Sequence, residues 1–296
     1  MALTFPVAPM KAAIGALPHD DDRWAFEIKW DGFRTLCHVA EGQVRVKSSS
    51  GLDVSATYPE LAALAGAVNA RQAILDGELV VLDADGKPRF ELLQRHSTEA
   101  AFYAFDVLAI DGADTVGLPY EQRRALLDAL VEPGPNWLVP AYQVGDGGAL
   151  LDVVAAQGLE GVMAKRLGAT YAVGKRSPSW RKVKVRRPVR MVVGGFTTGT
   201  GARAATFGSL LVGTREGDRL RFAGGVGTGF DQRMLDALAR RLRGLRSAAC
   251  PFDPPPPAAV ARSATWVTPA MEIEAEIAEF TNDGLVRHAS FVRVAP

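Results

Sequence analysis

The chain has 296 residues, enough for two hydrophobic cores at roughly 150 residues per domain. Its 48% hydrophobic and 23% charged content is that of a globular protein, and a formal net charge of +1 excludes a polycation that binds partners through bulk charge. Two cysteines, Cys37 and Cys250, make neither a disulfide framework nor a zinc cluster. No apolar run reaches the ~20 residues that span a bilayer. The start, MALTFPVAPMKAAIG, lacks the basic lead and apolar core of a secretion signal, so a cytoplasmic, membrane-free protein is expected.

In chain order, residues 25–30 predict a strand. The Asp31-Gly32 turn leads into TLCHV and the Glu41-Gly42 turn into QVRVK, which predicts antiparallel pairing through tight turns. Thr57 and Glu60 have capping-box spacing and predict a helix from Tyr58 to Asn69. AILDGELVVLD and FYAFDVLAI read as strands. YEQRRALLDALV and GALLDVVAAQ carry apolar residues at helical spacing, and GVMAKRL and WRKVKVR are short strands. Without a repeated βαβ unit, this mixture predicts an α+β domain of antiparallel sheets with helices.

A boundary is expected at Arg187-Pro188, because proline cannot donate to a sheet ladder, giving domains 1–187 and 188–296. Beyond it, VRMVVGGF, GSLLVGT and RLRFAGGVG are glycine-split strands, Phe230 to Leu245 is an amphipathic helix, and PFDPPPP is a rigid connector. In MEIEAEIAEF, Ile273, Ala275 and Ile277 alternate with Glu272, Glu274 and Glu276, which predicts a strand with a solvated glutamate face and not a metal site. Many strands and one helix predict a small all-β barrel of the oligonucleotide-binding (OB) type.

Several polar residues interrupt otherwise apolar strands. Lys29 stands in KWDGFR with Arg34 close behind. A lysine attacks only when its surroundings favour the neutral amine, and the cations Lys182 and Lys184 of WRKVKVR are candidates for that. Asp76-Gly77-Glu78, Phe105-Asp106 and Glu160-Gly161 break other apolar runs. Residues two apart on a strand share a face, so Lys182 and Lys184 point the same way. Residues 175–190, KRSPSWRKVKVRRPVR, hold eight basic side chains and no acid. With Trp180 among them, they predict a track for nucleic-acid phosphates.

Taken in order, KWDGFR, KSSSG, LDGE, FDVL, EGVMAK and KVK resemble the nucleotidyltransferase motifs of the ATP-dependent DNA ligases. YPELAAL, LQRH, EQRRALL, GSLLVG and GVGTGF look like the ligase domain of bacterial end-joining proteins and their stand-alone relatives. The resemblance covers essentially the whole chain. It implies that Lys29 takes AMP from ATP as a phosphoramidate, passes it to a DNA 5′-phosphate, and that the 3′-hydroxyl then displaces AMP to seal the break. By the same resemblance Glu27 contacts adenine, Phe105 stacks on it, and Arg34 and Glu78 hold the ribose. Met163 and Lys165 join the nucleotide contacts, with Lys165 turned to the phosphates beside Lys182 and Lys184. Glu160, with Glu78, would hold magnesium or manganese, hard ions that favour oxygen donors. Arg45, Lys47, Ser49, Lys175, Arg176, Arg186 and Arg187 are the expected DNA contacts, and Arg287 and Arg293 the arginines of the last ligase motif.

Two departures stand out. Ser49 occupies the place of an arginine that the family sets against a nick phosphate, and serine cannot make a bidentate charged contact. The last motif stops at Pro296, before an expected Arg-Asp-Lys-like ending, which puts the first adenylation step in doubt. The expected partners are nicked or broken duplex DNA and, beyond it, an end-binding protein or a separate polymerase; the protein is expected to be a monomer. Within the superfamily an RNA ligase or capping enzyme is the alternative. From another class, the alternative is a nucleic-acid-binding module with a decayed site.

Overall fold

The computed structural model describes residues 3–95, 98–281 and 283–296 and, of Arg187 and Glu279, the backbone alone. The LQRH stretch ends at His96, outside the described residues. The chain divides into two compact units, Met1–Val185 and Arg186–Pro296.

The first unit holds strands β1 (Lys11–Ile14), β2 (Trp24–Ile28), β3 (Phe33–Ala40), β4 (Gln43–Ser48), β5 (Gln72–Val80), β6 (Ala101–Ile110), β7 (Ala113–Asp114), β8 (Trp137–Leu138), β9 (Gln143–Val144), β10 (Gly161–Arg166) and β11 (Arg176–Lys184). Its helices are α1 (Phe90–Arg95), α2 (Tyr120–Leu130) and α3 (Gly147–Ala156). One sheet runs β1-β11-β10-β2-β9. The other runs β4-β3-β5-β6-β7, with β8 beside β6. Pairing is antiparallel except for β1 with β11 and β8 with β6.

Strand period explains the first sheet. Trp24, Phe26, Val162, Ala164, Val183 and Val185 share one face and pack on Val154 and Leu159, with Leu150 and Leu151 of α3 against them. The alternate residues of β2, β10 and β11 are thereby turned to the opposite face. In the second sheet Cys37, Val39, Leu75, Leu79, Phe102 and Leu127 belong to one core. Met10, Leu36, Ile74, Leu108, Tyr171 and Trp180 form another, which joins the two sheets. Cys37 is fully buried, as its apolar neighbours predict.

The Asp31-Gly32 turn differs from expectation. Of the two predicted turns, the Glu41-Gly42 turn closes a hairpin between β3 and β4, whereas β2 and β3 lie in different sheets. The turn is a crossover, and Gly32 is required because a Cβ there would lie 2.1 Å from the Leu79 carbonyl oxygen. The predicted helix at Tyr58 is instead 3₁₀ turns over Ser55–Thr57 and Pro59–Ala67, without a side-chain cap. Glu60, expected to close a capping box, accepts the Ala100 N–H at 2.8 Å. Strand β1 lay outside the pattern reading; it is a short edge strand held parallel to β11.

The second unit contains β12 (Arg187–Thr197), β13 (Leu210–Glu216), β14 (Arg219–Val226), β15 (Ala264–Ile277), β16 (Glu279–Phe280), β17 (Val286–Arg287) and β18 (Ser290–Val294), with helices α4 (Gln232–Gly244) and α5 (Ala258–Ala261). Its main sheet runs β14-β13-β12-β15-β18. Arg187-Pro188 opens β12, opposite Ile277 and Glu276. Asp231 caps α4 by accepting the Met234 N–H at 2.7 Å. Ile273, Ala275 and Ile277 are buried, while Glu272 is exposed and Glu274 and Glu276 are partly so, as the alternation predicts.

Candidate active site

Three neighbouring strands set the site by register. Glu27 of β2 faces Met163 of β10, which faces Lys182 of β11. One step along, the Lys29 N–H donates to the Gly161 carbonyl at 2.9 Å, and Gly161 pairs with Lys184. One step the other way lie Ala25, Lys165 and Trp180. Paired residues project to the same side of an antiparallel sheet, so these rows share the face opposite the α3 core. Glycine at 161 is dictated by space: a Cβ would stand 2.2 Å from the Val183 carbonyl oxygen. It leaves a gap between the two lysines of its row.

Glu160 fills the end of that gap. Its carboxylate accepts from the Lys29 ammonium and, through the other oxygen, from Lys184 at 2.8 Å. Burial alone would push the Glu160 carboxyl up, but Lys29 and Lys184 outweigh it and hold the group below its ordinary value. Burial, then the charges of Lys29 and Arg34, pull the Lys182 ammonium down.

A cavity of about 140 Å³ opens beside these rows. Glu27, Lys29, Arg34, Glu78, Phe105, Met163, Lys165 and Lys182 all line it, together with Trp30 and Trp180. Arg34 and Glu78 are opposite one another on β3 and β5. Burial raises the Glu78 carboxyl to about 7 against the pull of Arg34 and Lys29.

The resemblance turns Lys165 toward the phosphates. The structure buries it instead, 1% exposed, with its ammonium 2.7 Å from Glu27 and over the rings of Phe105 (4.2 Å) and Trp180 (4.6 Å). Burial lowers its pKa. Glu27 is buried as well, at the cavity wall, and its other oxygen accepts from the Tyr120 hydroxyl.

Trp180 departs from the phosphate track predicted for it. It is wholly buried, edge-on to Phe105 and Tyr171. Strand alternation breaks up the rest of that basic run. Lys182 lines the cavity and Lys184 holds Glu160, whereas Arg181 lies over the Trp24 ring at 4.6 Å and Arg176 donates to the Ala12 carbonyl. Lys175 is exposed, Arg186 sits 3.6 Å from Glu276, and the Arg187 side chain lies outside the description. Arg45 and Ser49 are exposed, and Lys47 is 3.7 Å from Asp53. In the second unit Arg287 lies in β17 opposite Glu279, and Arg293 binds Glu274 at 2.6 Å.

Sequence reasoning quoted Asp76 and Asp106 only as parts of motifs and gave them no role. Asp76 holds Arg34, and Asp106 holds Arg123 in a wholly buried pair at 2.8 Å. Their signal was there: an acid inside an apolar strand needs a buried partner. Tyr120, at the first turn of α2, gave no such signal.

A family profile described as the ATP dependent DNA ligase domain matches residues 7–184, and one described as the ATP dependent DNA ligase C terminal region matches 203–296. This chain belongs to the ATP-dependent DNA ligases. It is 40% identical over 293 residues to the multifunctional non-homologous end joining protein LigD of Mycobacterium bovis, covering 98% of this chain and 38% of that protein. A DNA ligase of Natronomonas pharaonis is 33% identical over 261 residues, 80% of this chain and 46% of its own length. The chain thus spans about two-fifths of the length of the LigD relatives. Among solved structures, the ligase domain of Mycobacterium tuberculosis LigD superposes with a TM-score of 0.60 at 38% identity, over 99% of this chain and 97% of that one. The two units are accordingly the nucleotidyltransferase domain and the C-terminal OB-fold domain of an ATP-dependent ligase.

Proposed function

We propose that this ligase seals 3′-hydroxyl/5′-phosphate breaks in duplex DNA during end-joining repair, with Lys29 as the nucleophile. The observation that carries this reading is the Lys29 amine held at Glu160, beside Lys182 and Lys184 and at the wall of a cavity lined by Phe105, Arg34 and Glu78. In the first step the Lys29 ammonium releases a proton, the freed amine nitrogen bonds the α-phosphorus of ATP, and the bond to pyrophosphate breaks. In the second, a DNA 5′-phosphate oxygen takes the adenylyl group from Lys29. In the third, the 3′-hydroxyl oxygen attacks that 5′-phosphate and AMP leaves. Lys182 and Lys184 supply fixed positive charge where the phosphoryl group carries its negative charge. Phe105 offers a ring for the base.

Among the described residues no group of three or more His, Cys, Asp or Glu could hold a metal ion. The site instead fits an ion held by one or two carboxylates and the substrate phosphates, as magnesium prefers. Glu160, with Glu78, would hold magnesium or manganese, which would neutralise charge on the transferring phosphate.

Arg45, Lys47, Ser49 and Lys175 on the first unit, and Arg186 on the second, serve as contacts to DNA phosphates, and Arg287 and Arg293 act on the pyrophosphate. Among the described residues no helix is long and apolar enough to cross a membrane; a monomer working in the cytoplasm belongs to the proposed reading. An end-binding protein or a separately encoded polymerase would bring it to broken ends. The test is incubation with α-labelled ATP and magnesium, then a denaturing gel. Label that survives denaturation and is lost in Lys29→Ala supports the reading; an unlabelled wild type overturns it.

A further inference from the structure

Tyr120 takes no part in the steps above, yet it is among the most buried residues of the first unit. It opens α2, and two buried arginines of that helix fix it to the fold: Arg123 grips Asp106 and the Leu118 and Ala169 carbonyls, and Arg124 donates to the Pro140 carbonyl. The Tyr120 hydroxyl donates to Oε1 of Glu27, while Lys165 pairs with Oε2 at 2.7 Å. Both protein partners of Glu27 are therefore donors, one on each oxygen. A carboxylate oxygen has two lone pairs, so each keeps one. Glu27, which lines the cavity, can meet a ligand there only as an acceptor.

We propose that Tyr120 is a positioning residue for nucleotide selection: its hydroxyl fixes the Glu27 carboxylate so that a free lone pair faces the exocyclic amino group of an aminopurine. This deepens the ligase reading and rests on it. An acceptor so fixed attracts the amino group of adenine and repels the keto oxygen of hypoxanthine at the same position. Without the hydroxyl, only Lys165 holds Glu27, and the carboxylate turns toward that single cation. Phenylalanine keeps the ring and its contacts with Tyr142 and Lys165, so the change isolates the one bond.

The test compares wild type and Tyr120→Phe in three assays: self-adenylation with ATP, self-adenylation with inosine triphosphate, and sealing of a pre-adenylated nick without nucleotide. The expected result is a KM for ATP raised about ten-fold, the size of losing one hydrogen bond to a charged group. The rate at saturating ATP stays within about two-fold, the KM for inosine triphosphate changes far less, and the rate of sealing at saturating pre-adenylated nick, where adenine binding no longer limits, is unchanged. In a Glu27→Ala background, Tyr120→Phe leaves the KM for ATP where it was. An unchanged KM for ATP in the single variant overturns the positioning role and leaves the ligase standing. So does an equal loss in all three assays, which marks a structural residue. A wild type that takes no label from ATP overturns both readings.

Discussion

Arg34 holds Asp76 by two points, Nε to Oδ1 at 2.8 Å and Nη2 to Oδ2 at 2.6 Å, and Tyr171 donates its hydroxyl to the same carboxylate at 2.5 Å. Asp76 is wholly buried and Arg34 partly so. Burial works against the guanidinium charge, but Asp76 outweighs it and raises the Arg34 pKa. The bridge ties β3 to β5 and aims Arg34 along the rings of Phe105 (4.9 Å) and Trp180 (5.4 Å). Removing one partner of a buried pair leaves an uncompensated charge, at about 3–5 kcal/mol. Asp76→Ala is expected to fall near the lower end, since Arg34 retains some solvent, and to lower adenylation as well. Urea denaturation reads the first effect; a loss under about 1 kcal/mol would show that water replaces Asp76 without difficulty.

Glu78 gives the site a pH signature. Its carboxyl is raised to about 7 in the folded protein by burial, from an ordinary value of 4.5. Between those values the folded state binds more protons than the unfolded one, so stability falls as pH rises through that window and levels off above it. Below 4.5 both states are protonated and the penalty vanishes. Glu78→Gln has no charge to bury. Its melting temperature should exceed that of wild type at pH 8 and approach it toward pH 4.5. Other titrating groups cancel in the difference between the two proteins. A gap that is constant with pH would mean that Glu78 is charged throughout.

The parts of this site that the sequence showed are those that strand period can carry. Glu27 and Lys29, Met163 and Lys165, Lys182 and Lys184 are pairs two apart, so each pair necessarily shares a face. Which of the paired residues meet across strands was not legible, because register between β2, β10 and β11 is set by distant packing on α3. Lys165 illustrates this. Its spacing puts it on the face of the phosphate lysines, but its row pairs it with Ala25 and Trp180, where a buried ammonium needs Glu27. Tyr120 was illegible for the same reason, lying 93 residues from its partner in the chain. The Asp31-Gly32 turn read as a hairpin because two-residue turns usually join paired strands; only the close approach of Gly32 to Leu79 reveals a crossover.

Gly161 separates the two lysines that embrace Glu160. A methyl group there meets backbone, the Val183 carbonyl oxygen at 2.2 Å and the Lys184 Cα at 2.8 Å, so no side chain can move aside to admit it. Gly161→Ala must part β10 from β11 and carry Lys184 away from Glu160. The expected cost is about 1–3 kcal/mol from overpacking, with a much larger proportional loss of adenylation. Thermal denaturation and the label assay on one preparation separate the two. Full adenylation in a destabilised protein would show that the Lys29–Glu160–Lys184 geometry tolerates a shift.

Ser49 stands exposed just beyond β4, its N–H bonded to the Arg34 carbonyl at 3.0 Å, so the backbone at this point is tied to the nucleotide site while the side chain is open to solvent. Ser48 and Ser50 bond to one another at 2.8 Å, which keeps the turn closed without help from Ser49. Arginine at this position therefore displaces nothing. Placed where the family resemblance sets a nick phosphate, it would add one charge-assisted contact and release one more counterion. Ser49→Arg is expected to tighten binding to nicked duplex by about five-fold at moderate salt, the upper range for an exposed ion pair. It should also steepen the dependence of log affinity on log salt by about 0.9. Adenylation without DNA should not change. Titrating nicked DNA into both proteins at several salt concentrations measures affinity and slope together. Equal slopes would place the Ser49 turn away from the phosphate backbone, and Arg45 and Lys47 on the adjoining strand would lose their assignment as DNA contacts with it.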